Sequence, residues 1–323
     1  MKAIVYRKYG QPEDVLEFDA TERPVPGEKE IQVRVVATTV NRTDSATIRA
    51  IPFFMRVATG LIGPKNQIPG TEFAGTIEET GRSVTLFKKG ERVFGFCDLG
   101  AGAHAEYLTV AENFAVHVPS GISFEQAAAM SEGFHYALNF VNKVSVTPES
   151  KILVNGASGG IGSALVQILK YYGANVTAVC GTKNLELVKS LGADRVIDYQ
   201  KQDFTRINEK FNCVFDAVGK SSFFKSYRLL APVGIYISSD LGFMAQNIVV
   251  PLLTPLLQFL TGGRKSIFPV PKDIRTSLLL AAKMANEGKF KPVIDREYPF
   301  EKIIEAYRYV QTGQKTGNVV IVM

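Results

Sequence analysis

Apolar and polar side chains alternate through the first third of the chain. Glu30-Ile31-Gln32-Val33-Arg34-Val35-Val36-Ala37 follows the period of two that a strand buried on one face requires. Residues 3–6, 73–78, 92–96 and 105–110 form further short β-type runs, and Pro24, Pro26 and Gly27 turn the chain between the first two strands. This series predicts a compact, mostly antiparallel, barrel-like domain.

Near Gly121 the pattern changes. Ser123 followed three residues on by Gln126 is a capping signature, and the Ala127-Ala128-Ala129-Met130 run continues a helix from it. Strands are predicted at 151–154, 175–179, 195–197, 213–215 and 234–237, alternating with helices at 161–172, 185–191 and 223–230. Alternation of this kind means βαβ units and a parallel sheet. A last helix around 303–311 and a strand at 319–322 are placed to return to the first domain. The chain is thus read as α/β, with one domain over 1–122 and 295–323 and a second over 123–294.

Lys151-Ile152-Leu153-Val154-Asn155-Gly156-Ala157-Ser158-Gly159-Gly160-Ile161-Gly162 is strand, glycine-rich turn, helix. Read as A-x-G-x-x-G, it places small residues at Ala157, Gly159 and Gly162. There the turn must be tight, the backbone must approach a pyrophosphate, and the helix must pack close to the strand. N–H groups of Ser158, Gly160 and Ile161 at the helix start then face the phosphates. At the end of the next strand an NAD site usually carries a carboxylate for the ribose 2′-hydroxyl. Here the chain reads Cys180-Gly181-Thr182-Lys183, with no acid before Glu186. Lys183 can pair with a 2′-phosphate and Thr182 can donate to it, so NADPH is expected in preference to NADH. Later strand ends, Val218-Gly219 after Asp216 and Ser238 before Asp240, are further cofactor contacts by topology.

Composition narrows the chemistry. The chain has 323 residues, 46% hydrophobic and 21% charged, enough for about two packed domains and unlike a disordered chain. It has only 3 cysteines (Cys97, Cys180, Cys213) and 3 histidines, with no CxxC pair, which argues against a disulfide framework and a multi-cysteine zinc lobe. The net charge is +6, but Lys and Arg never run beyond a pair, so no phosphate-tracking stripe is visible, nucleic acid is not expected, and an anionic cofactor fits the charge as well. The first residues lack an apolar signal segment, and the cytoplasm is the expected location. Residues 248–260 are apolar but shorter than the ~20 residues of a membrane span and are broken by Pro251 and Pro255. A buried or interface helix is expected there.

These motifs, with Gly10-Gln11-Pro12-Glu13-Asp14, Val40-Asn41-Arg42-Thr43-Asp44, Pro69-Gly70-Thr71-Glu72-Phe73-Ala74-Gly75, Gly102-Ala103-His104-Ala105-Glu106-Tyr107, Leu191-Gly192-Ala193-Asp194 and the closing Lys315-Thr316-Gly317-Asn318-Val319-Val320, resemble the medium-chain dehydrogenase/reductase superfamily over nearly the whole chain. Within it they resemble the zinc-free, quinone oxidoreductase-like branch. The resemblance implies a GroES-like β-barrel catalytic domain, a doubly wound Rossmann domain inserted in it, and a homodimer. It also implies that Tyr199 lies near the adenosine phosphate and that the stretch holding Phe268 lines the nicotinamide.

Zinc-using relatives place a Cys near Arg42–Thr43 and a His where this chain has Thr71. Without those ligands no metal is expected; Cys97, His104 and His117 read instead as a small core thiol and turn or surface imidazoles. With no Lewis acid, hydride addition to a conjugated acceptor is easier than alcohol oxidation, because a quinone or enone spreads the developing charge. Asn41 and Asp44, matching the family's Asn-x-x-Asp, either serve the substrate oxygen and nicotinamide or cap the following turn. Tyr136, where relatives often carry Thr, is a usable hydroxyl donor or a packing residue. The apolar stretch of Ile51, Phe53, Phe54, Met55, Val57, Leu61 and Ile62, with Phe243, Met244 and 248–260, reads as a hydrophobic mouth for a carbonyl or quinone substrate or as a dimer contact. The alternatives are an alcohol dehydrogenase or carbonyl reductase on the same scaffold, and a non-catalytic nucleotide- or RNA-binding protein. Replacing Lys183 by Glu is expected to raise KM for NADPH by about tenfold or more and to leave KM for NADH nearly unchanged, as read from initial rates; an equal change for both removes Lys183 from cofactor choice.

Overall fold

The computed structural model describes residues 1–98, 100–240, 246–254, 259 and 261–323, without the side chains of residues 54 and 58. Its strands are β1 (Lys2–Val5), β2 (Glu17–Ala20), β3 (Glu30–Val40), β4 (Glu72–Thr80), β5 (Arg92–Phe96), β6 (Tyr107–Ala111), β7 (Ala115–His117), β8 (Lys151–Asn155), β9 (Asn175–Cys180), β10 (Arg195–Asp198), β11 (Phe211–Asp216), β12 (Leu230–Ser238), β13 (Lys265–Ile267), β14 (Ile294–Pro299) and β15 (Asn318–Val322).

The chain forms two compact units, Met1–Glu132 with Asp273–Met323, and Gly133–Lys272. In the first, a seven-stranded sheet runs β14-β15-β3-β4-β5-β7, with β6 also on β3. The alternation at 30–37 makes β3 long enough for two partners along one edge. β6 takes Glu30–Arg34 and β15 takes Ala37–Val40, both antiparallel, while β4 pairs along the other edge. The C-terminal segment is therefore part of the first unit. Ile303 and Tyr307 of the helix Ile303–Gln311 pack with Ile4, Val40, Ile48, Val319 and Ile321 in one apolar cluster.

The second unit is a six-stranded sheet ordered β10-β9-β8-β11-β12-β13, every pair parallel. Counted within the unit this order is 3-2-1-4-5-6, the dinucleotide-binding arrangement, with its switch point between β8 and β11. Ile152, Leu153 and Val154 of β8 are all buried, as a central strand covered on both faces requires.

Several expectations need correction. Residues 123–132 and 273–294, assigned to the nucleotide half, belong to the first unit. The helix Phe124–Ala128, with both bonds of the Ser123/Gln126 capping box in place, packs on β3 and β4, and the helix Ile274–Asn286 packs on β7. That second helix, the helix Arg42–Arg49, β13 and β14 were not among the expected elements. The expected strand at 105–110 starts at Tyr107, and the expected helix at 223–230 stops at Ser226 and tightens into a 3-10 turn. Phe243, Met244 and most of 255–260 lie outside the described residues. Among the described residues no helix is long and apolar enough to cross a membrane.

Val233, in β12, holds φ at +57°, in the left-handed region that a β-branched residue disfavours, and its side chain is 71% exposed. Val233→Gly is expected to raise stability by about 1 kcal/mol in urea titration, since strain is relieved and little burial is lost.

Candidate functional site

At the C-terminal end of β8 the chain turns through Gly156, φ +81°, into the helix Gly160–Tyr171. The N–H groups of Gly156 and Ala157 both donate to the Val179 carbonyl at 3.1 and 3.0 Å, tying the turn to β9. A Cβ on Gly162 would stand 2.0 Å from the Gly156 carbonyl oxygen, so strand and helix touch only because position 162 has no side chain. Gly159 is different. Its φ of −80° suits any residue, and a Cβ there would meet only the Gly156 oxygen, at 3.5 Å. The fold itself does not need glycine at 159, which stands at the start of a helix with no side-chain cap. Ser158, Gly160 and Ile161 are partly exposed around it, and Ala157 is buried beneath. These residues fit the pyrophosphate of a dinucleotide.

The neighbouring strand ends converge on the same region. After β9, Gly181 precedes the 3-10 turn Thr182–Asn184, and Lys183 is exposed on it. The Thr182 hydroxyl donates to the Asp198 carboxylate at 2.6 Å, and its N–H to Gln200 Oε1 at 3.0 Å. Thr182 is thus held by a carboxylate at the end of β10 rather than left open for a phosphate. Sequence reading missed Asp198 and Gln200, although the topology makes the end of β10 part of this site. Tyr199, 57% exposed, brings its hydroxyl against Gly181.

After β11, the buried Asp216 accepts from Asn155 Nδ2 (3.0 Å), the N–H groups of Val218, Gly219 and Ser221 (3.3, 3.1 and 2.9 Å) and the Tyr236 hydroxyl (3.0 Å). This wrapping sets the loop that lays Val218 on Gly156, where a Cβ would come within 2.8 Å of it. Ser238 is buried at the end of β12 and accepts from the Asp240 N–H, and Phe268, half-buried, directly follows β13. Tyr136 lies half-buried on the helix Glu132–Val141, whose Gly133 packs so closely on Gly160 that a Cβ would be 2.9 Å from its carbonyl. The expected cofactor residues therefore gather at the C-terminal strand ends of one sheet.

Asn41 and Asp44 lie in the first unit and form a full capping box at the start of the helix Arg42–Arg49. The Asp44 N–H donates to Asn41 Oδ1 at 2.8 Å and the Asn41 N–H to Asp44 Oδ2 at 2.9 Å. The Asn41 amide donates on to Thr71 Oγ1 (2.9 Å) and to the Glu72 carboxylate (3.4 Å), and the Thr71 hydroxyl donates to Asp44 Oδ1 (3.3 Å). Glu72 also accepts from the Thr39 hydroxyl and from the Glu132 N–H (2.7 Å), while Thr43 donates to the Glu132 carboxyl. Asp44, Glu72 and Glu132 are all buried. The side chain of Asn41 is taken up inside this network. Nothing in the sequence pattern singles out Glu132 or Thr39; only their meeting at Glu72 does.

Burial dominates the electrostatics here. It pushes Asp44 up to about 8, helped by the charge on Glu72 and opposed by the Asn41 N–H. Glu132 is held well above the usual carboxyl range by burial and then by Glu72. Glu72 is also raised by burial, against the donors around it and the charge of Lys315. His104 was expected at a turn or the surface and is instead fully buried. Its Nε2 lies 2.9 Å from the Thr39 carbonyl and its Nδ1 3.2 Å from the Tyr307 hydroxyl. Burial pushes it down to about 4, so it is a neutral imidazole holding β3. His117 is exposed and paired with Glu91, and Cys97 is half-buried. Among the described residues no group of three or more His, Cys, Asp or Glu is arranged to hold a metal ion.

A raised Asp44 binds its proton in the folded state at pH values where the unfolded chain has released it. Stability from this group is complete below pH 3.8 and is lost as pH rises towards about 8. In urea titrations across that window Asp44→Asn is expected to flatten the fall, by up to about 1.4 kcal/mol per pH unit. Parallel curves for the two proteins would place its pKa near the ordinary value.

Two family models match the chain, the alcohol dehydrogenase GroES-like domain over residues 27–120 and zinc-binding dehydrogenase over 191–321. Over 99% of its length the chain is 33% identical to 2-methylene-furan-3-one reductase of Solanum lycopersicum and 32% identical to NADPH-dependent alkenal/one oxidoreductase, chloroplastic, of Arabidopsis thaliana, covering 79% of each. Its fold matches the quinone oxidoreductase structure from Coxiella burnetii with a TM-score of 0.87, at 24% identity, over 100% of this chain and 99% of that one. The barrel-like first unit, the parallel 3-2-1-4-5-6 sheet and these likenesses agree, and the chain belongs to the quinone oxidoreductase-like branch of the medium-chain dehydrogenase/reductase superfamily.

Proposed function

We propose that this oxidoreductase is NADPH-dependent and zinc-free, and that it reduces a quinone or the activated C=C bond of an enone or enal. The observation that carries this reading is the state of Thr71. It stands where zinc-using relatives place a His, and its hydroxyl is bonded between Asn41 and Asp44. The names of two relatives, an alkenal/one oxidoreductase that is NADPH-dependent and a furanone reductase, support the same substrate class.

When bound, the nicotinamide supplies the hydride. The chain's own residues bind and orient. The N–H groups of Ser158, Gly160 and Ile161 hold the pyrophosphate, and Lys183 meets the 2′-phosphate. Val218, Gly219 and Ser238 at the strand ends, with Phe268, frame the remainder of the cofactor. The Tyr136 hydroxyl is the donor for the oxygen on which charge develops, and solvent completes the proton transfer. Asn41 and Asp44 fix the loop around Thr71 rather than touch the substrate.

NADPH consumption against a panel of quinones, enones, aldehydes and alcohols tests this. Expected products are a hydroquinone or a saturated ketone, from protein that metal analysis shows to lack stoichiometric zinc. An allylic alcohol product, tightly held zinc, or NADPH binding without turnover of any panel member would each reject it. Tyr136→Phe is expected to lower kcat about a hundredfold with KM for NADPH unchanged.

A further inference from the structure

We propose that residues 51–65 form a docking surface for an anionic phospholipid bilayer. Ile62 is 100% exposed, and Phe53, Val57 and Leu61 are 73, 73 and 70% exposed, all within one short segment of the first unit. Large apolar side chains grouped this way mark an interaction site. The segment is held rather than loose. Tyr9 Oη bonds Thr59 Oγ1 and the Gly60 carbonyl, each at 2.8 Å, and the Lys65 N–H donates to the Thr59 carbonyl at 2.8 Å. The Arg56 guanidinium lies 4.8 Å from the Tyr9 ring centre and 4.9 Å from that of Phe53.

Charge selects the occupant. From residue 45 to 71 the chain carries the half-buried Arg49 and Arg56 and the exposed Lys65, and no Asp or Glu. Lys8 is exposed on the neighbouring stretch, which is joined to the segment by the Tyr6 N–H on the Gln67 carbonyl at 2.9 Å. Among the described residues none of these four cations has a carboxylate within ion-pair distance. A two-fold contact made of this patch alone would offer its cations no acidic partner. An anionic headgroup layer pairs with the cations while Phe53, Leu61 and Ile62 enter the acyl boundary. The net charge of +6 favours the same approach.

The chain has no tryptophan, so Ile62→Trp introduces a single fluorescent reporter. With phosphatidylcholine vesicles containing phosphatidylglycerol, its emission is expected to shift to the blue and to be quenched by brominated acyl chains. With phosphatidylcholine alone it is not. In flotation assays, Lys65→Glu is expected to weaken binding by about fivefold or more, and Phe53→Ser by about tenfold or more, with melting temperatures showing that both variants fold. Failure to bind anionic vesicles, or binding that leaves the reporter's emission unchanged, overturns the proposal. So does a lipid-free dimer, seen by analytical ultracentrifugation, that Phe53→Ser splits, since a second copy would then cover the patch.

Discussion

A carboxylate in a protein interior must be surrounded by donors, and the Glu72 carboxylate imposes that demand on the first unit. It takes the Thr39 hydroxyl from β3, the Asn41 amide from the start of the helix Arg42–Arg49, and the Glu132 N–H from the start of the helix that leads into the nucleotide half. Three segments distant in sequence are thereby fixed around one side chain. Asp44, Thr71 and Thr43 join through those donors, so the loop carrying the family's Asn-x-x-Asp pattern owes its position to a residue outside that pattern.

The nucleotide half shows the same economy in steric terms. Gly162 is required by the protein's own packing, and Gly159 is not. A single motif therefore mixes a position where the protein's own packing demands glycine with one where it does not. The wrapping of Asp216 by main-chain N–H groups does for the β11 loop what the glycines do for the β8 turn, using hydrogen bonds instead of close contact.

Much of this was legible in the sequence because it rests on local pattern. The period of two in β3, the apolar run of β8, the glycine spacing and the Ser123/Gln126 cap each dictate structure within a few residues. What escaped depends on partners far along the chain. β13 has only Lys265–Ile267 to announce it and exists because β12 offers an edge. His104 looks like a loop residue until Tyr307 and the Thr39 carbonyl close on it. The Thr182 hydroxyl looked available until Asp198 appeared beside it. The Asn41 and Asp44 spacing was equally compatible with capping and with substrate contact, and only the bond to Thr71 shows where the amide goes.

The pairing of β15 with β3 has a consequence for synthesis. Residues 133–272 are contiguous and can close their parallel sheet while translation continues. The edge of β3 at Ala37–Val40 has no antiparallel neighbour until Val319–Val322 leaves the ribosome. For most of its time as a nascent chain this protein therefore carries an open strand edge, the kind of surface that chaperones shield and that aggregation exploits.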